Sequence, residues 1–368
     1  MMIAADDIEV RPQRGLVASY KGILRKKVLF FFVLLAFLAI LAVYAIAAGT
    51  YDLSPLKVIR ALLGYEEGAA GIVIWNIRMP RIVAAMVAGW GLAVSGVAMQ
   101  CLLRNPLGSP FTLGISHGAA FGAALAIVVL GGGAAQSSVL RTTASTLVFV
   151  ENVFSVTFFA FLGAMAATLV ILALSRMKRL TPASIILAGV ALSSLFVSGT
   201  ILIQYFATEV EIATIVFWTF GDVSRSSWQE IGIMTAAASV VTVYFVLNRW
   251  KLNALSSGED VAKGIGVDVE KVRLWGMLMA ALVAALVTAF HGVIAFLGLL
   301  APHIARRMVG ADHRLLIPFA SIVGALLLLL ADTAGRILIG SGTLPVGVLT
   351  SFMGAPLFLY LLTRGYGK

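Results

Sequence analysis

The chain has 368 residues, 60% of them hydrophobic and 12% charged, with a formal net charge of +10. This composition excludes an ordinary water-soluble globular domain. The single cysteine, Cys101, excludes an internal disulfide framework and a metal site built from several cysteines. The basic residues lie in short loops without interleaved aromatic residues, so the net charge does not indicate nucleic-acid binding. Long apolar runs instead predict an all-α integral membrane protein.

The first 27 residues are polar and are predicted to form a cytoplasmic N-terminal segment. The apolar run that follows is long enough to span a membrane, so we expect it to remain as an anchor rather than to be cleaved. Residues 28–368 are predicted to form a single domain of about ten transmembrane helices. The predicted spans are 28–48, 82–103, 112–130, 152–174, 182–206, 228–247, 274–290, 293–308, 315–339 and 346–362.

The connections between the spans carry further local signals. Short helices are predicted near residues 56–63 and 210–220, in the first and fifth connections. The second span is preceded by a polar loop, 49–76, and the fourth by a loop at 131–151. Pro182 suits the first turn of the fifth span, where its missing N–H costs no helical hydrogen bond.

Two spans have features that affect how the helices pack. Gly118 and Gly122 lie four residues apart on the third span, a spacing that lets helix backbones approach closely in lipid. Pro302 is predicted to interrupt the eighth span. The seventh and eighth spans meet at His291 and Gly292 with almost no loop, so a re-entrant pair is the alternative to two full crossings.

The distribution of basic residues predicts the orientation. An even number of spans puts both termini on one side of the membrane. Twenty of the 27 lysines and arginines lie on the face that carries the termini, and seven lie on the other. By the positive-inside rule, the termini are predicted to be cytoplasmic.

The longest strongly polar interval within the apolar sequence is Trp250–Arg273, called the polar segment below. Ser256 and Glu259 have capping-box spacing, which predicts a short helix beginning there. Gly264 and Gly266 are predicted to end it, and Asp268 can cap the next helix. We therefore predict two short helices on the cytoplasmic surface. They form either a surface that a soluble partner grips or a plain solvated loop.

No catalytic motif is evident, so the chain is not predicted to be an enzyme. It has no G-x-x-x-x-G-K-[ST] phosphate loop and no H-E-x-x-H zinc motif. The four histidines are scattered without metal-ligand spacing: His117, His291, His303 and His313. We interpret His117 as a polar group at a helix start and His303 as the mark of a helix end near Arg306 and Arg307.

Transport is the remaining function class, and few polar residues lie within the spans. Gln100 lies late in the second span. Asp332 and Arg336 lie four residues apart on the ninth, which is ion-pair spacing on one helix face. Charges at membrane depth are costly and indicate a functional site. The pair could equally lock two helices together.

Several long segments resemble one family. RMPRIVAAMVAGWGLAVSGVAMQCLLRNPLGSPFTLGISHGAAFGAALAI (Arg78–Ile127) is similar to the second and third helices of iron-chelate and cobalamin permeases. LTPASIILAGVALS (Leu180–Ser193) is similar to their fifth helix. Gly292–Arg336 and LPVGVLTSFMGAPLFLYLL (Leu344–Leu362) are similar to their last three. The chain thus resembles the FecCD-type transmembrane subunit of type II ABC importers.

This resemblance implies the type II importer permease fold and a set of partners. The subunit would pair with a second copy or a paralogue in the inner membrane. Two cytoplasmic ABC ATPase subunits would supply ATP hydrolysis with Mg, so the chain itself would bind no cofactor or metal. A periplasmic or lipid-anchored substrate-binding protein would dock on the other side.

The resemblance also assigns roles to residues of this sequence. Coupling helices that contact the ATPases would lie at about 252–267, through Leu252, Ala254, Leu255, Ser256, Gly258, Glu259, Asp260, Ala262, Gly264, Gly266 and Val267. The gate and translocation path would include Gln100, Asn105, Leu107, Thr181, Pro182, Ala183 and Ser184. Pro182 and Ala183 depart from the small hydroxyl residues of the cobalamin permease, which leaves the gate chemistry open. Arg78, Arg81 and Arg336 would dock the binding protein, with snorkelling to lipid headgroups as the alternative.

The predicted function is therefore the pore-forming subunit of an ATP-driven importer for an iron chelate. A ferric siderophore is favoured as cargo, with haem or cobalamin next. A proton-coupled secondary transporter that uses Asp332 is the first alternative, and a non-transporting membrane scaffold is the second.

Overall fold

The computed structural model describes residues 14–49, 55–62, 64, 69–129, 146–178, 181–338 and 344–363. Within them the regular structure is entirely helical. The first helices are α1 (Arg14–Ala47), α2 (Pro55–Leu62), α3 (Ala69–Ile72), a π-helical turn (Val73–Arg78), α4 (Met79–Leu102), α5 (Ile115–Val129), α6 (Thr146–Lys178) and α7 (Pro182–Tyr205). The others are α8 (Glu209–Thr219), α9 (Trp228–Leu247), α10 (Arg249–Ser256), α11 (Glu259–Gly264), α12 (Val269–His291), α13 (Leu297–Val309), α14 (His313–Leu338) and α15 (Val346–Thr363).

Every predicted span has a helical counterpart, and seven described helices are long and apolar enough to cross a membrane. They are Lys21–Ala47, Val73–Leu102, Ser155–Arg176, Pro182–Tyr205, Trp228–Leu247, Val269–His291 and His313–Leu338. The other three counterparts are shorter: α5 has 15 residues, α13 has 13 and α15 has 18. A crossing helix needs about 20 apolar residues. The chain is thus a multi-pass membrane protein, and the number of ten crossings stays a prediction.

The core is built around α4, which is buried along most of its length, whereas α1 and α7 expose most of their side chains. Glycines let α4 approach its neighbours directly. A Cβ atom added to Gly89 would lie 2.3 Å from the carbonyl oxygen of Gly324 on α14. A Cβ atom added to Gly96 would lie 1.9 Å from the carbonyl oxygen of Gly298 on α13. α4, α13 and α14 therefore pack backbone to backbone.

The predicted close approach at Gly118 and Gly122 is confirmed. A Cβ atom on Gly118 would lie 2.4 Å from the carbonyl oxygen of Gly163 on α6, and one on Gly122 would lie 2.0 Å from that of Phe159. α5 and α6 therefore form a second tightly packed group.

The structure confirms several local features that were predicted for the connections between the spans. Pro182 lies in the first turn of α7, and the Thr181 side chain caps that helix. α8 corresponds to the helix predicted near 210–220, and a capping box of Thr208 and Glu211 begins it. Asp268 caps α12, with its carboxylate accepting from the Lys271 amide at 3.1 Å. α2 matches the helix predicted near 56–63.

Three predictions about helix boundaries were wrong. The helix of the second span begins before Ile82, because the apolar residues after Ala69 continue it through the π-helical turn. Such a turn accommodates Pro80, which has no N–H to donate. Ser256 ends α10 instead of capping α11, whose N-cap is Gly258 at φ 133°. α13 continues through Pro302 without interruption.

Two helices also begin earlier in the chain than the sequence predicted. α1 begins at Arg14, within the predicted N-terminal segment, and α6 begins at Thr146, within the predicted 131–151 loop. The predictions for residues 1–13, 50–54, 63, 65–68, 130–145, 179–180, 339 and 364–368 fall outside the described residues.

Candidate transport sites at the two ends of α4 and α14

α4 and α14 are antiparallel neighbours that connect the two ends of the helix bundle. One end carries the polar segment and is called the polar-segment end. The other carries Arg78, Arg81 and Arg336 and is called the arginine end. Each helix therefore has one terminus in each candidate site.

The polar segment is fixed to the end of α4. Leu252, Leu255 and Ala262 are buried in the core. The Cys101 thiol donates to the Leu252 carbonyl at 3.3 Å, which joins α4 to α10. The Arg273 Nε atom, on α12, donates to the Leu102 carbonyl at 3.3 Å.

The polar segment is also fixed to the start of α14 through Asn253. The Asn253 amide donates to Asp312 Oδ1 at 2.8 Å, and its oxygen accepts from the His313 backbone N–H at 2.9 Å. Burial acts to raise the pKa of Asp312, but bonds from the Arg314 amide and the Asn253 side chain hold it below its ordinary value. The carboxylate is therefore charged at neutral pH and keeps this link.

The part of the polar segment that faces away from the protein is mixed in character. Of the predicted coupling residues, Leu252, Leu255 and Ala262 are buried, Ala254, Gly258, Glu259 and Val267 are half-buried, and Ser256, Asp260, Gly264 and Gly266 are exposed. Glu259 contacts Arg273. Val261 and Ile265, which the sequence analysis did not single out, are 53% and 67% exposed. Their four-residue spacing within a polar stretch was the signal that could have found them.

The predicted gate residues fall into two groups. Gln100 is buried, with its Nε2 atom 3.4 Å from the Leu299 carbonyl and its oxygen accepting from Arg306 at 3.1 Å. It therefore bridges α4 and α13. Asn105 accepts from the Leu107 amide at 2.8 Å and shapes the turn after α4.

The second group lies at the start of α7. Thr181 and Ser184 contact each other at 3.0 Å through their hydroxyl oxygens, and Ala183 beside them is exposed. α7 meets the turn after α4 farther along, where a Cβ atom on Gly189 would lie 2.7 Å from the Thr112 carbonyl oxygen. Gln100 is therefore buried in the bundle, whereas Thr181 and Ala183 are exposed and Pro182 and Ser184 are half-buried.

At the arginine end, Asp332 is fully buried between two arginines. Arg81 Nε lies 2.8 Å from Asp332 Oδ1, and Arg336 Nε lies 3.2 Å from Asp332 Oδ2. The contact with Arg336 has the spacing expected from the sequence. Arg81 is an additional member 251 positions away, and the only signal for it was that both residues lie at the same end of their spans.

Two arginines at this end, Arg78 and Arg336, donate hydrogen bonds to the end of α1. Arg78 donates to the Ala47 carbonyl at 3.0 Å, and Arg336 donates to the carbonyls of Ala45 and Ala48 at 3.0 and 3.1 Å. The last carbonyls of a helix have no partner within the helix, and cations near them are stabilising. Among the described residues, Arg81 makes its polar contacts through Nε alone. Its terminal nitrogens can therefore bind a further acceptor.

The helical membrane bundle thus has a docked polar segment at one end and a buried arginine cluster at the other. The FecCD transport family model matches residues 35–364, and the chain belongs to this family. A solved structure described as an inward-facing conformation of a putative metal-chelate type ABC transporter matches with a TM-score of 0.77 and 31% identity, covering 91% of this chain and 99% of that one. The chain is accordingly a permease of a metal-chelate type ABC importer.

The names of several relatives state different cargoes. A putative ABC transporter permease protein of Methanocaldococcus jannaschii is 50% identical over 95% of this chain and 98% of its own. A hemin transport system permease protein of Yersinia pestis is 35% identical over 90% of this chain and 95% of its own. Other relatives, 32–37% identical, are named as vitamin B12, Fe(3+)-citrate and iron(3+)-hydroxamate permeases.

Proposed function

We propose that the chain forms part of the transmembrane path of an ATP-driven importer for an iron chelate. A ferric siderophore is the favoured cargo, and haem or cobalamin is the next choice. The observation that carries this proposal is the attachment of the polar segment to both α4 and α14, through Cys101 and through Asn253. A partner that moves this segment would move two helices that reach the opposite end of the bundle.

The partners follow from the two ends. Two ABC ATPase subunits, which use ATP and Mg, dock on the exposed residues of the polar segment, with Val261 and Ile265 as an apolar contact. A substrate-binding protein docks at the arginine end, where the two terminal nitrogens of Arg81 can form a bidentate pair with a carboxylate. A second permease, identical or paralogous, completes the path. The complex lies in the cytoplasmic membrane with both termini inside.

The mechanism requires no tight binding of cargo and no cofactor held by this chain. Closure of the ATPases displaces α10 and α11, and α4 and α14 follow because Gly89 and Gly324 let them pack as one unit. The turn after α4 and the start of α7 then open or close the inner end of the path. Specificity comes mainly from the binding protein.

Uptake of different chelates tests the cargo. The permease is reconstituted in sealed vesicles with the ATPase and the binding protein encoded beside its gene. Radiolabelled ferric trihydroxamate, ferric catecholate, haem and cobalamin are then compared at equal concentration. We expect ATP-dependent uptake of one of the ferric siderophores. Preferential uptake of haem or cobalamin would replace the favoured cargo, and transport of none of the four would contradict the proposal.

A further inference from the structure

We infer that a cavity between α5 and α7 is a transient contact site for an uncharged, hydroxyl- or amide-bearing arm of the transported chelate. This rests on the proposed function and adds a selectivity of the permease itself for neutral over strongly anionic chelates. His117 lines the cavity, and its sequence position alone is that of a polar group at a helix start.

The cavity has a volume of about 300 Å³. It is lined by Phe111, Ser116, His117, Ala120, Val197, Thr200, Ile201, Gln204, Thr219 and Val293. α12 begins at the polar-segment end, and Val293 lies just beyond its far terminus. The last turns of α7 and the end of α8 also contribute to the wall. The cavity therefore lies in the arginine half of the bundle, beneath the face where cargo would arrive.

Several lining side chains have unused hydrogen-bonding capacity. The Nδ1 atom of His117 is buried and has no hydrogen-bond partner. Among the described residues, the side chains of Ser116 and Gln204 make no hydrogen bond. Thr200 and Thr219 donate to backbone carbonyls of their own helices, which leaves their oxygens free to accept. Ser116 and the His117 Nδ1 atom are buried, whereas Thr200, Gln204 and Thr219 are half-buried. Buried polar groups in folded proteins are normally satisfied, so the unpaired imidazole nitrogen fits an occupant that supplies the missing partner.

The charge and shape of the wall restrict that occupant. None of the lining residues is a lysine, arginine, aspartate or glutamate. The rings of His117 and Phe111 lie 4.8 Å apart and give the cavity a flat aromatic side. An anion brought here would lose its hydration with no opposite charge in the wall. A neutral group with hydroxyls or amides can bond to the imidazole, amide and hydroxyl groups instead.

The volume shows that only part of a chelate enters. Ligand pockets commonly span roughly 300–1,000 Å³, so this cavity is at the small end of that range. It can hold a side arm of an iron chelate and leave the metal centre outside. Such partial contact orients the cargo without holding it tightly, which agrees with passage through the path.

The single cysteine of the chain makes the test direct. Cys101 is kept because it is buried, and Gln204→Cys places a second, accessible thiol in the cavity, with the unsubstituted chain as the background for the reaction. The purified permease in lipid nanodiscs is treated with a water-soluble thiol reagent, with or without a neutral ferric trihydroxamate or a trianionic ferric catecholate. At a chelate concentration of about ten times its Kd, bound trihydroxamate should slow the reaction by about tenfold. The catecholate should leave the rate unchanged.

Variants of the wall and of a distant site provide the controls. His117→Leu and, separately, Ser116→Ala should reduce the protection, whereas Ser194→Ala, on an exposed part of α7, should not. A thiol placed by Val210→Cys on the exposed side of α8 should react at the same rate with and without chelate. If His117→Leu fails to fold, the Ser116→Ala result decides.

Three outcomes would overturn the inference: no protection by the trihydroxamate, equal protection by both chelates, or full protection in both wall variants. Reaction of the thiol without any protection would mean that the cavity holds water only. The assay needs neither ATP nor partner subunits. A failure of ATP-driven uptake with protection intact would therefore count against the proposed function alone.

Discussion

Asp332 is the single carboxylate among the described residues of the arginine cluster, and its burial explains how three arginines can lie together at one end of a membrane protein. Its two oxygens face Arg81 and Arg336 on different helices. Arg78 and Arg336 also donate hydrogen bonds to backbone carbonyls at the end of α1. A carboxylate held between two guanidinium groups is poorly suited to releasing and taking up protons during transport. The geometry thus favours a structural role for Asp332 over the proton-coupled alternative.

Asp332→Asn should destabilise the protein, because two largely buried arginines would lose their shared partner. Removing one member of a buried ion pair typically costs about 3–5 kcal/mol. The measurement is the thermal unfolding midpoint in detergent, with Asp260→Asn on the exposed polar segment as a matched control. An unchanged midpoint for Asp332→Asn would refute the structural role.

Asn253→Leu should detach the polar segment from α14 by removing both the bond to Asp312 and the acceptor for the His313 amide. Amides of α10 should then exchange hydrogen faster, while those of α12 change little. Lys251→Ala, an exposed change in the same helix, is the control.

The same link has a defined pH dependence. Because the pKa of Asp312 is held below its ordinary value, the stability contributed by its charge is present above the unfolded-state pKa, about 3.9. It is lost as pH falls through the lower folded-state value. Protection of α10 should therefore be constant between about pH 5 and 8. A fall in protection near pH 6 would show that another group controls the link.

At the scale of elements, the direct contact of α4 and α14 is the feature on which transmission between the two ends depends. Gly89→Ala should force the helices apart, since its Cβ atom would lie 2.3 Å from the Gly324 carbonyl oxygen. Overpacking of this kind costs about 1–3 kcal/mol. Gly232→Ala on α9, where a Cβ atom meets nothing within 4 Å, is the control and should be neutral or slightly stabilising. Equal thermal midpoints for the two variants would contradict the packing.

The elements also show which parts of the fold can be predicted from sequence. Long apolar runs predicted the membrane helices, since lipid leaves the backbone few alternatives to a helix. The Asp268 cap and the position of Pro182 in the first turn of α7 were predicted correctly because both depend on local interactions. The start of the second span was predicted wrongly. The π-helical turn before Pro80 depends on tertiary packing, whereas the sequence of these residues is typical of a loop. Pairs such as Arg81 with Asp332 and Asn253 with Asp312 join distant parts of the chain, and no local pattern specifies them.

For the whole molecule, the exposed apolar pair formed by Val261 on α11 and Ile265 just after it is the expected contact with the ATPases. Ile265→Asp should leave the permease folded, since the side chain is 67% exposed, and should weaken co-purification of the ATPase and ATP-driven uptake by at least tenfold. Glu270→Lys, an exposed change on the first turn of α12, is the matched control. Full assembly of the Ile265→Asp complex would place the ATPase contact elsewhere.

The central claim is that this permease is a conduit driven by partner ATPases rather than a carrier driven by an ion gradient. Uptake of a radiolabelled iron chelate into sealed vesicles tests it most directly, with energy supplied either as ATP or as a proton gradient. We predict uptake only when the ATPase subunits, ATP and the binding protein are all present, and none from the permease alone under a proton gradient. Uptake by the permease alone when a proton gradient is imposed would contradict the account.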